Sequence, residues 1–454
     1  MPKRSVFTSS AKSILHGRGN FAAATQTVLI RLLALGLNAA TSIIVARILK
    51  AQGRGEMSAL IIWSGMLTGM VTFGLPSSLV FNLRRKPERA SSTMGASLVL
   101  TALISIAVGA IGYAIVPVTL THYSARDILY ARWFLLSSPI PIVSYVARAA
   151  MEAEGKFTFS NVVAWSCPVL TLVGLVGLAA AHQLTPVTGG LAYVLSAVPS
   201  MVWLVAKAWQ DYAPNLHGLA TSASDLLKYG VRSWGIDLLN ALAGQADLVL
   251  IVRFLNSDMM GTYVVAEGFA RLLGVFQTSA STILFPRVAA RESSEVVSLT
   301  GKAVRITMAC TVAGAIVMAF TGSSLLRMIY GAEYAEKGTL VFRVLLCEVV
   351  IGGATDVLAQ AFMALGRPGI VSTIQAVGIG IGLSLMPFLI QRFGIVGAGI
   401  ALLISTSIRF CLTLLCFRPI LRIKPPNLVM DRSDFDFAAH RIAGFAAASQ
   451  AVVE

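Results

Sequence analysis

The sequence predicts an all-α, polytopic membrane protein, and this prediction rests on its composition. Of the 454 residues, 56% are hydrophobic and only 13% are charged, and the mean hydropathy is +0.77. Soluble globular domains carry about 25% charged residues, so the composition excludes a soluble enzyme, a disordered chain and a collagen-like fibre. Helices of about 20–25 apolar residues span a bilayer, and about twelve of them account for most of this chain.

The predicted membrane spans follow one another along the whole sequence. The first span is interrupted only by Arg31. It is too long for the apolar core of a signal peptide, so we expect it to be retained in the mature protein. The predicted spans cover residues 21–49, 57–82, 91–116, 128–151, 158–182, 187–208, 226–251, 260–286, 303–325, 339–364, 369–391 and 395–417.

The distribution of Lys and Arg predicts the orientation in the membrane. The formal net charge is +15. With the N-terminus inside, about twenty-two cationic residues fall on one side of the membrane and about eight on the other, a bias typical of cytoplasmic loops. We therefore expect a multi-pass protein of the bacterial cytoplasmic (inner) membrane with both termini in the cytoplasm. The charges are scattered through short connectors rather than clustered on one module, so nucleic acid is not an expected partner.

A hydrophilic joint near the midpoint of the chain predicts two halves with six helices each. Such a joint between two sets of spans is typical of transporters built from internal repeats. In order along the chain, we expect a basic cytoplasmic segment, a helix bundle, a cytoplasmic linker, a second helix bundle and a cytoplasmic tail. These parts are predicted at residues 1–20, 21–208, 209–225, 226–418 and 419–454.

Two sequence echoes indicate that the halves are repeats. At a constant offset of 206 residues, three positions of the stretch 47–55 match the stretch 253–261: Arg47 with Arg253, Leu49 with Leu255 and Gly55 with Gly261. AEGK at 153–156 recurs as ALGR at 364–367, at an offset of 211 residues. Both echoes fall at matching places in the two halves. Six spans return the chain to its starting side, so the repeats are predicted to be parallel.

Polar residues inside the spans are the candidate functional residues. A charge in the hydrocarbon core is costly unless it faces the interior of the helix bundle or a water-filled cavity. The candidates for binding substrate in such a cavity are Arg31, Asn38, Asp237, Asn240, Glu267, Arg271 and Arg409. The acidic candidates for ion coupling are Asp237, Glu267, Glu348 and Asp356.

Arg31 is the strongest of these candidates because it lies well inside its span with no acidic residue within a helical turn. A guanidinium in a wet cavity suits a phosphate or pyrophosphate, which it grips with two parallel hydrogen bonds. Under the repeat offset, Arg31 superposes on Asp237. Glu267 and Arg271 leave two interpretations open, because a pair at i,i+4 spacing either neutralises itself or takes part in transport.

The sequence carries no signature of catalysis, of a metal or of a cofactor. It lacks HExxH, GxSxG and P-loop motifs, which mark metalloproteases, serine hydrolases and nucleotide-binding enzymes. Its five cysteines lie in apolar runs without CxxC spacing, which predicts small buried hydrophobic residues rather than a metal or redox site. We therefore expect a protein that is not an enzyme.

Several stretches resemble the multidrug/oligosaccharidyl-lipid/polysaccharide exporter superfamily, and within it the polysaccharide-precursor flippases. The resemblance covers essentially the whole chain. It implies two pseudo-symmetric six-helix bundles arranged as a V, with a central cavity that opens alternately to each face and is lined by spans one, seven and eight. The resembling stretches are ARILKAQGRGEM (46–57), FGLPSSLVF (73–81), EAEGKF (152–157), YGVRSWGIDLLNALAGQADLVLI (229–251) and GTYVVAEGFARLLGVFQTSASTILFPRVA (261–289).

The predicted function is a flippase that translocates polyprenyl-pyrophosphate-linked oligosaccharide or exopolysaccharide repeat units by alternating access. The expected partners are the lipid-linked sugar, membrane lipids and other polysaccharide-synthesis proteins. Interior arginines favour this anionic cargo. A cation-coupled multidrug exporter of the same fold remains an alternative, for which a net acidic cavity is expected. A membrane polymerase or glycosyltransferase is a third class, disfavoured because the chain lacks a long loop.

Overall fold

The computed structural model describes residues 20–288 and 293–428, without the side chains of residues 20–29, 31, 236, 282, 283, 285–288 and 293. In these ranges every regular element is a helix. The α-helices are α1 (Asn20–Val71), α2 (Leu75–Arg85), α3 (Ala90–Thr119), α4 (Ala125–Phe134), α5 (Pro139–Ala153), α6 (Phe157–Ala180), α7 (Pro186–Leu195), α8 (Val198–Tyr212), α9 (Leu219–Phe254), α10 (Ser257–Ala270), α11 (Gly274–Val288), α12 (Ser293–Ile329), α13 (Ala332–Ala364), α14 (Pro368–Phe393) and α15 (Ile395–Cys416).

Helix α1 contains the first predicted span and most of the second, and it is kinked at a single residue. Lys50 has non-helical backbone angles of φ 59° and ψ −176°. The amide of Ala51, which follows it, donates to Oε2 of Glu333 at 3.4 Å. The predicted spans leave residues 50–56 between them, and in the structure Ala51–Glu56 are helical, because one residue outside the helical region is enough to redirect the chain.

Two other predicted spans are divided near prolines. Phe73 and Gly74 have positive φ angles of 47° and 67°, and Pro76 lies in the first turn of α2, which follows them. The fourth span is divided into α4 and α5 by the turn Leu135–Ser137, just before Pro139. Proline has no amide hydrogen to donate within a helix, so it is tolerated in the first turn, where that hydrogen would lack a helical partner.

The helices of the described ranges identify a multi-pass membrane protein. Nine helical segments are long and apolar enough to cross a membrane, and a bent pair within α9 raises that number to ten. The first segment, Leu32–Val71, holds 40 residues and includes parts of two predicted spans. Helix α13, which coincides with the tenth predicted span, is not among the nine and carries Glu348 and Asp356 in its interior. These segments are consistent with the predicted twelve spans.

Packing divides the chain into two compact units. Unit 1 comprises residues 1–265 and 329–337, and unit 2 comprises residues 266–328 and 338–454. The predicted division of the chain at the linker 209–225 stays a prediction; α8 ends and α9 begins within this stretch. Most of the predicted cytoplasmic segments at the two ends of the chain lies outside the described residues.

Within unit 1, helix α9 packs along α1, α2 and α3. A Cβ atom on Gly74 would lie 2.2 Å from the carbonyl oxygen of Gly230, and one on Gly230 would lie 2.5 Å from that of Phe73. Nε1 of Trp234 donates to the carbonyl oxygen of Met70 at 2.5 Å. Only glycine permits this approach, so the backbones of α2 and α9 are in direct contact.

The glycines of the first sequence echo meet each other where α1 crosses α10. A Cβ atom on Gly55 would lie 1.7 Å from the carbonyl oxygen of Ser257. A Cβ atom on Gly261 would lie 1.9 Å from the carbonyl oxygen of Ala51. Two positions that the repeat offset relates are therefore neighbours within unit 1.

The second sequence echo forms the same helix end in each copy. Gly155, after α5, has φ 74°, and Gly366, after α13, has φ 71°. In each case the amide of the next residue donates to the carbonyl oxygen five residues before it, at 3.0 Å and 2.8 Å respectively. This bond defines a Schellman helix end, whose left-handed residue is usually glycine. Both copies of the echo therefore contain glycine because both helix ends need a residue with a positive φ angle.

Unit 2 has its own apolar core, built by α11, α12, α13 and the turn after α15. The rings of Phe362 and Phe417 meet edge to face at 4.9 Å, an arrangement that aromatic pairs favour. The buried members of this core are Leu284, Val296, Val297, Val304, Ala354, Val357, Leu358, Ala361, Phe362 and Phe417. The predicted candidates on α13 and α15 therefore project from helices that a packed core holds in place.

Candidate substrate site

Unit 2 contains an ion pair where α10 ends in the short turn Arg271–Leu273. Nη2 of Arg271 lies 2.5 Å from Oε1 of Glu267. Glu267 is buried, with 7% of its surface exposed, whereas 55% of the Arg271 side chain is exposed. The pairing that the i,i+4 spacing allows is therefore present. Any anionic ligand that binds Arg271 has to compete with Glu267.

A second ion pair joins α15 to α13. Nη2 of Arg409 lies 3.4 Å from Oδ1 of Asp356. The aliphatic part of Arg409 passes beside Gly378 of α14, where a Cβ atom would lie 2.3 Å from Cγ of Arg409. Glycine at this position therefore leaves room for the arginine to reach Asp356. The Asp356 side chain is 62% exposed, so this pair is open to a ligand.

Glu348 lies close to both pairs. Its Oε1 accepts a hydrogen bond from Oγ1 of Thr406 at 2.9 Å, and both Arg271 and Arg409 attract it electrostatically. The predicted spans eight, ten and twelve thus contribute three carboxylates and two arginines to one cluster. Each of these two arginines is paired with a carboxylate, so a ligand in unit 2 meets ion pairs rather than free cations.

The sequence analysis missed an amide that packs next to this cluster. Nε2 of Gln277 on α11 donates to the carbonyl oxygen of Val349 at 2.6 Å. A Cβ atom on Gly353 would lie 1.8 Å from Cδ of Gln277, so α13 approaches the amide closely. An uncharged amide inside a membrane costs less free energy than a charge does. Gln277 was therefore less conspicuous in the sequence than the charged residues of the spans.

Four of the predicted candidates belong to unit 1. Asp237 is half-buried, and Asn38 and Asn240 are exposed. Asp237 follows a bend of 49° between the two parts of α9, Leu219–Gly235 and Asp237–Phe254. Arg31 belongs to α1, but its side chain lies outside the described residues. Its role as a phosphate ligand stays a prediction.

Unit 1 also holds a buried acid that the sequence analysis did not select. Asp247 on α9 is 3% exposed, and its Oδ2 accepts a hydrogen bond from the hydroxyl of Tyr263 at 2.9 Å. The tyrosine belongs to α10 and is fully buried. A buried carboxylate needs such a partner, so this bond ties the ends of two successive spans together.

The structure offers no metal centre among the residues it describes, since no group of three or more His, Cys, Asp or Glu side chains is arranged to hold an ion. The five cysteines are free. Cys310, Cys347 and Cys411 are exposed, and the other two are partly buried. The prediction of buried cysteines is wrong for these three, because the lipid-facing surface of a membrane protein is as apolar as its interior.

Comparison with known protein families shows which family the chain belongs to. A family model described as "Polysaccharide biosynthesis protein" matches residues 44–337, well over half of the chain. The chain belongs to this polysaccharide biosynthesis protein family. A second model, described as "Lipid II flippase MurJ", matches residues 249–439 of the same chain. The resemblance to polysaccharide-precursor flippases is thereby confirmed.

Two relatives of this polysaccharide biosynthesis protein have names connected with glycan synthesis. The amylovoran biosynthesis protein AmsL of Erwinia amylovora is 23% identical over 303 residues, which cover 65% of this chain and 68% of AmsL. The probable low-salt glycan biosynthesis flippase Agl15 of Haloferax volcanii is 21% identical over 166 residues, which cover 36% of this chain and 35% of Agl15.

Solved structures confirm the predicted exporter fold. The lipid II flippase MurJ in an inward closed conformation matches with a TM-score of 0.75 and 13% identity, over 88% of this chain and 87% of MurJ. An inward-facing multidrug resistance transporter of the MATE family matches with a TM-score of 0.68 and 14% identity, over 86% of this chain and 97% of the transporter. At these identities the likeness shows the fold alone.

Proposed function

We propose that this polysaccharide biosynthesis protein is a flippase for polyprenyl-pyrophosphate-linked oligosaccharide or exopolysaccharide repeat units. The observation that carries the proposal is the family match over residues 44–337. A relative named as a probable glycan biosynthesis flippase and the MurJ-like fold support it. The lipid-linked sugar and membrane lipids are the partners, together with other polysaccharide-synthesis proteins.

The proposed mechanism is an exchange of ligands at the paired arginines. The phosphates of the headgroup displace Asp356 from Arg409 and Glu267 from Arg271. They can do so because a guanidinium binds phosphate oxygens with two parallel hydrogen bonds. Arg31, Asn38, Asp237 and Asn240 of unit 1 are the proposed residues for further contacts with the substrate during its passage. The polyprenyl tail stays in the lipid while alternating access carries the sugar across.

This exchange leaves carboxylates without their arginine partners, and binding of an ion to these carboxylates would couple its movement to that of the substrate. Asp356 and Glu267 each lose a cation when the substrate binds, and Glu348 loses the attraction of both arginines. A proton or another cation then compensates these charges, and Asp237 is a further candidate for the same role. In this proposal the protein lies in the inner membrane with both termini in the cytoplasm. Translocation of the lipid-linked sugar involves no covalent chemistry and no cofactor.

Purified protein in proteoliposomes tests the proposal. A fluorescent polyprenyl-pyrophosphate oligosaccharide is expected to move between leaflets only in vesicles that contain the protein, and chemical quenching of the outer leaflet measures this movement. Vesicles with a heat-denatured sample are the control. If the lipid stays in its leaflet and an organic cation is taken up instead, the protein is a multidrug exporter of the same fold.

A further inference from the structure

Basic and aromatic side chains collect where α2 and α9 pack together in unit 1. The rings of Phe81 and Tyr229 are stacked, with centroids 4.1 Å apart and planes inclined by 14°. The guanidinium carbon of Arg85 lies 5.5 Å from the centre of the Phe81 ring. Three more exposed cations are neighbours of these residues along the chain: Arg89 follows α2, Lys228 precedes Tyr229, and Arg232 lies one helical turn after Tyr229 on α9. We use the name basic–aromatic cluster for Phe81, Arg85, Arg89, Lys228, Tyr229 and Arg232.

Contacts around the basic–aromatic cluster fix its geometry. Nζ of Lys86 lies 2.6 Å from Oδ2 of Asp225. The hydroxyl of Ser78 donates to the carbonyl oxygen of Leu226 at 2.6 Å. With the close approach of Gly74 to α9, these contacts join the two helices at successive levels. The exposed side chains therefore project from a rigid base, which is what a specific binding site requires.

Some cations of this region already have structural partners. Arg84 donates from Nε to the carbonyl oxygen of Ala153 at 2.9 Å, and from Nη2 to that of Glu152 at 3.0 Å. These bonds hold Arg84 at the end of α5, where the last carbonyl groups of a helix lack the usual intrahelical donors. Lys86 is held by Asp225. Neither cation is counted in the basic–aromatic cluster.

The four cations of the cluster are available to a ligand. All four are exposed, and none forms an ion pair with a carboxylate in the ranges that the structure describes. Asp225 attracts Arg89 and Lys228 at longer range, and Glu88 is exposed beside Arg89. Cations outnumber carboxylates here, so the surface attracts anions.

The chemistry of the cluster fits a phosphate-bearing lipid headgroup. Arginine binds phosphate in a bidentate manner, and aromatic rings are typical of the boundary between lipid and water. Arg85, Arg89 and Lys228 also belong to the side that the Lys and Arg bias predicts to be cytoplasmic. A pyrophosphate carries more charge than the single phosphate of an ordinary phospholipid, and four cations on a rigid base match it better.

We propose that the basic–aromatic cluster is a docking site for the pyrophosphate of the lipid-linked sugar before the sugar enters the translocation pathway. This inference rests on the proposed function and assigns a second, peripheral contact for the same substrate. Arg85 and Arg232 bind the phosphates, while Arg89 and Lys228 add attraction at longer range. The stacked rings of Phe81 and Tyr229 hold together the two helices that carry these arginines.

Binding of farnesyl pyrophosphate to the full-length protein in detergent tests this site without transport. Farnesyl pyrophosphate can also bind at Arg271 and Arg409, so two binding phases are expected, and Arg409→Ala identifies the phase that belongs to that site. The double variant Arg85→Gln/Arg232→Gln is expected to raise the dissociation constant of the other phase about tenfold, because it removes two charge-assisted contacts. Arg126→Gln is the matched control, since Arg126 is also exposed and also lies beside a tyrosine, 5.3 Å from the ring of Tyr130, but in α4. Its dissociation constant is expected to equal that of the wild type.

Further variants separate a binding defect from a folding defect. Arg85 and Arg232 are exposed and form no ion pair within the described ranges, so the double variant is expected to keep the wild-type melting temperature. If it does not fold, Arg232→Gln alone replaces it and is expected to weaken binding several-fold. Tyr229→Phe retains the stack and is expected to bind like the wild type. A double variant that folds and binds with wild-type affinity overturns the site.

Competition distinguishes the two sources of phosphate. Phosphatidylglycerol is expected to displace farnesyl pyrophosphate only weakly. If it displaces the probe as well as unlabelled farnesyl pyrophosphate does, the cluster binds ordinary phospholipid and the inference is wrong. The binding assay also keeps this inference separate from the proposed function. A protein that does not flip lipid but shows the arginine-dependent binding contradicts only the function, and one that flips lipid without that dependence contradicts only the site.

Discussion

Replacing Gly261 by alanine is expected to destabilise the protein severely. The new Cβ atom would lie 1.9 Å from the carbonyl oxygen of Ala51, and a backbone atom cannot turn aside as a flexible side chain does. Overpacking of a well-packed interior costs about 1–3 kcal/mol, and a clash with backbone lies at the upper end or above it. The expected result is a strong loss of folded protein in detergent, measured by size-exclusion chromatography and a thermal melt.

The same helix supplies the control for this prediction. Gly268 also belongs to α10, and a Cβ atom there would meet nothing within 4 Å. Alanine has a higher helix propensity than glycine by about 1 kcal/mol, so Gly268→Ala is expected to be neutral or slightly stabilising. Gly55→Ala should reproduce the loss, since its Cβ atom would lie 1.7 Å from the carbonyl oxygen of Ser257. Wild-type melting of Gly261→Ala would show that α1 and α10 do not cross here.

Arg409→Ala and Asp356→Asn are expected to change transport in opposite directions. Loss of Arg409 removes a phosphate ligand, and a hydrogen bond to a charged group contributes about 1.5–3 kcal/mol, so the half-saturating substrate concentration should rise at least about tenfold. Loss of the Asp356 charge removes the competitor for the same guanidinium, which lies 3.4 Å away. That concentration should therefore fall several-fold. Initial rates in proteoliposomes at a series of substrate concentrations measure both effects.

Arg343→Ala is the control for these two variants. Arg343 is an exposed arginine of α13 in the same unit, and its Nε donates to the carbonyl oxygen of Ala319 at 3.3 Å. It makes no contact with the charged cluster, so transport is expected to stay within about twofold of wild type, as for ordinary surface substitutions. Opposite effects of Arg409→Ala and Asp356→Asn support the exchange of ligands, whereas equal losses from both would mean that the pair is structural.

The sequence predicted the class of protein and the places of its repeats because both depend on local patterns. Apolar length identifies spans, and a glycine that must adopt a positive φ, as Gly155 and Gly366 do, recurs where the same helix end recurs. The echo that contains Gly55 and Gly261 was also visible. Their direct contact was not, because periodicity fixes which face a residue occupies and not which helix packs against that face.

The charged residues show the same limit. Their cost in lipid selected Arg409, Asp356 and Glu348 from the sequence. It did not show that Arg409 reaches Asp356 past a glycine of another helix, Gly378. In the sequence Arg409 has no evident partner, so the sequence alone implied an arginine that is free to bind an anion. The pairing changes the expected chemistry, since a substrate has to displace carboxylates rather than fill an empty site.

The most direct measurement compares two lipids that differ only in their linkage to the sugar. One carries the oligosaccharide on a pyrophosphate, and the other carries the same sugar on the same polyprenyl chain through an uncharged linker. The wild-type protein in proteoliposomes is expected to move the pyrophosphate lipid at least about tenfold faster, which corresponds to the loss of about one charge-assisted contact. Equal rates for the two lipids would contradict recognition of the headgroup by the arginines.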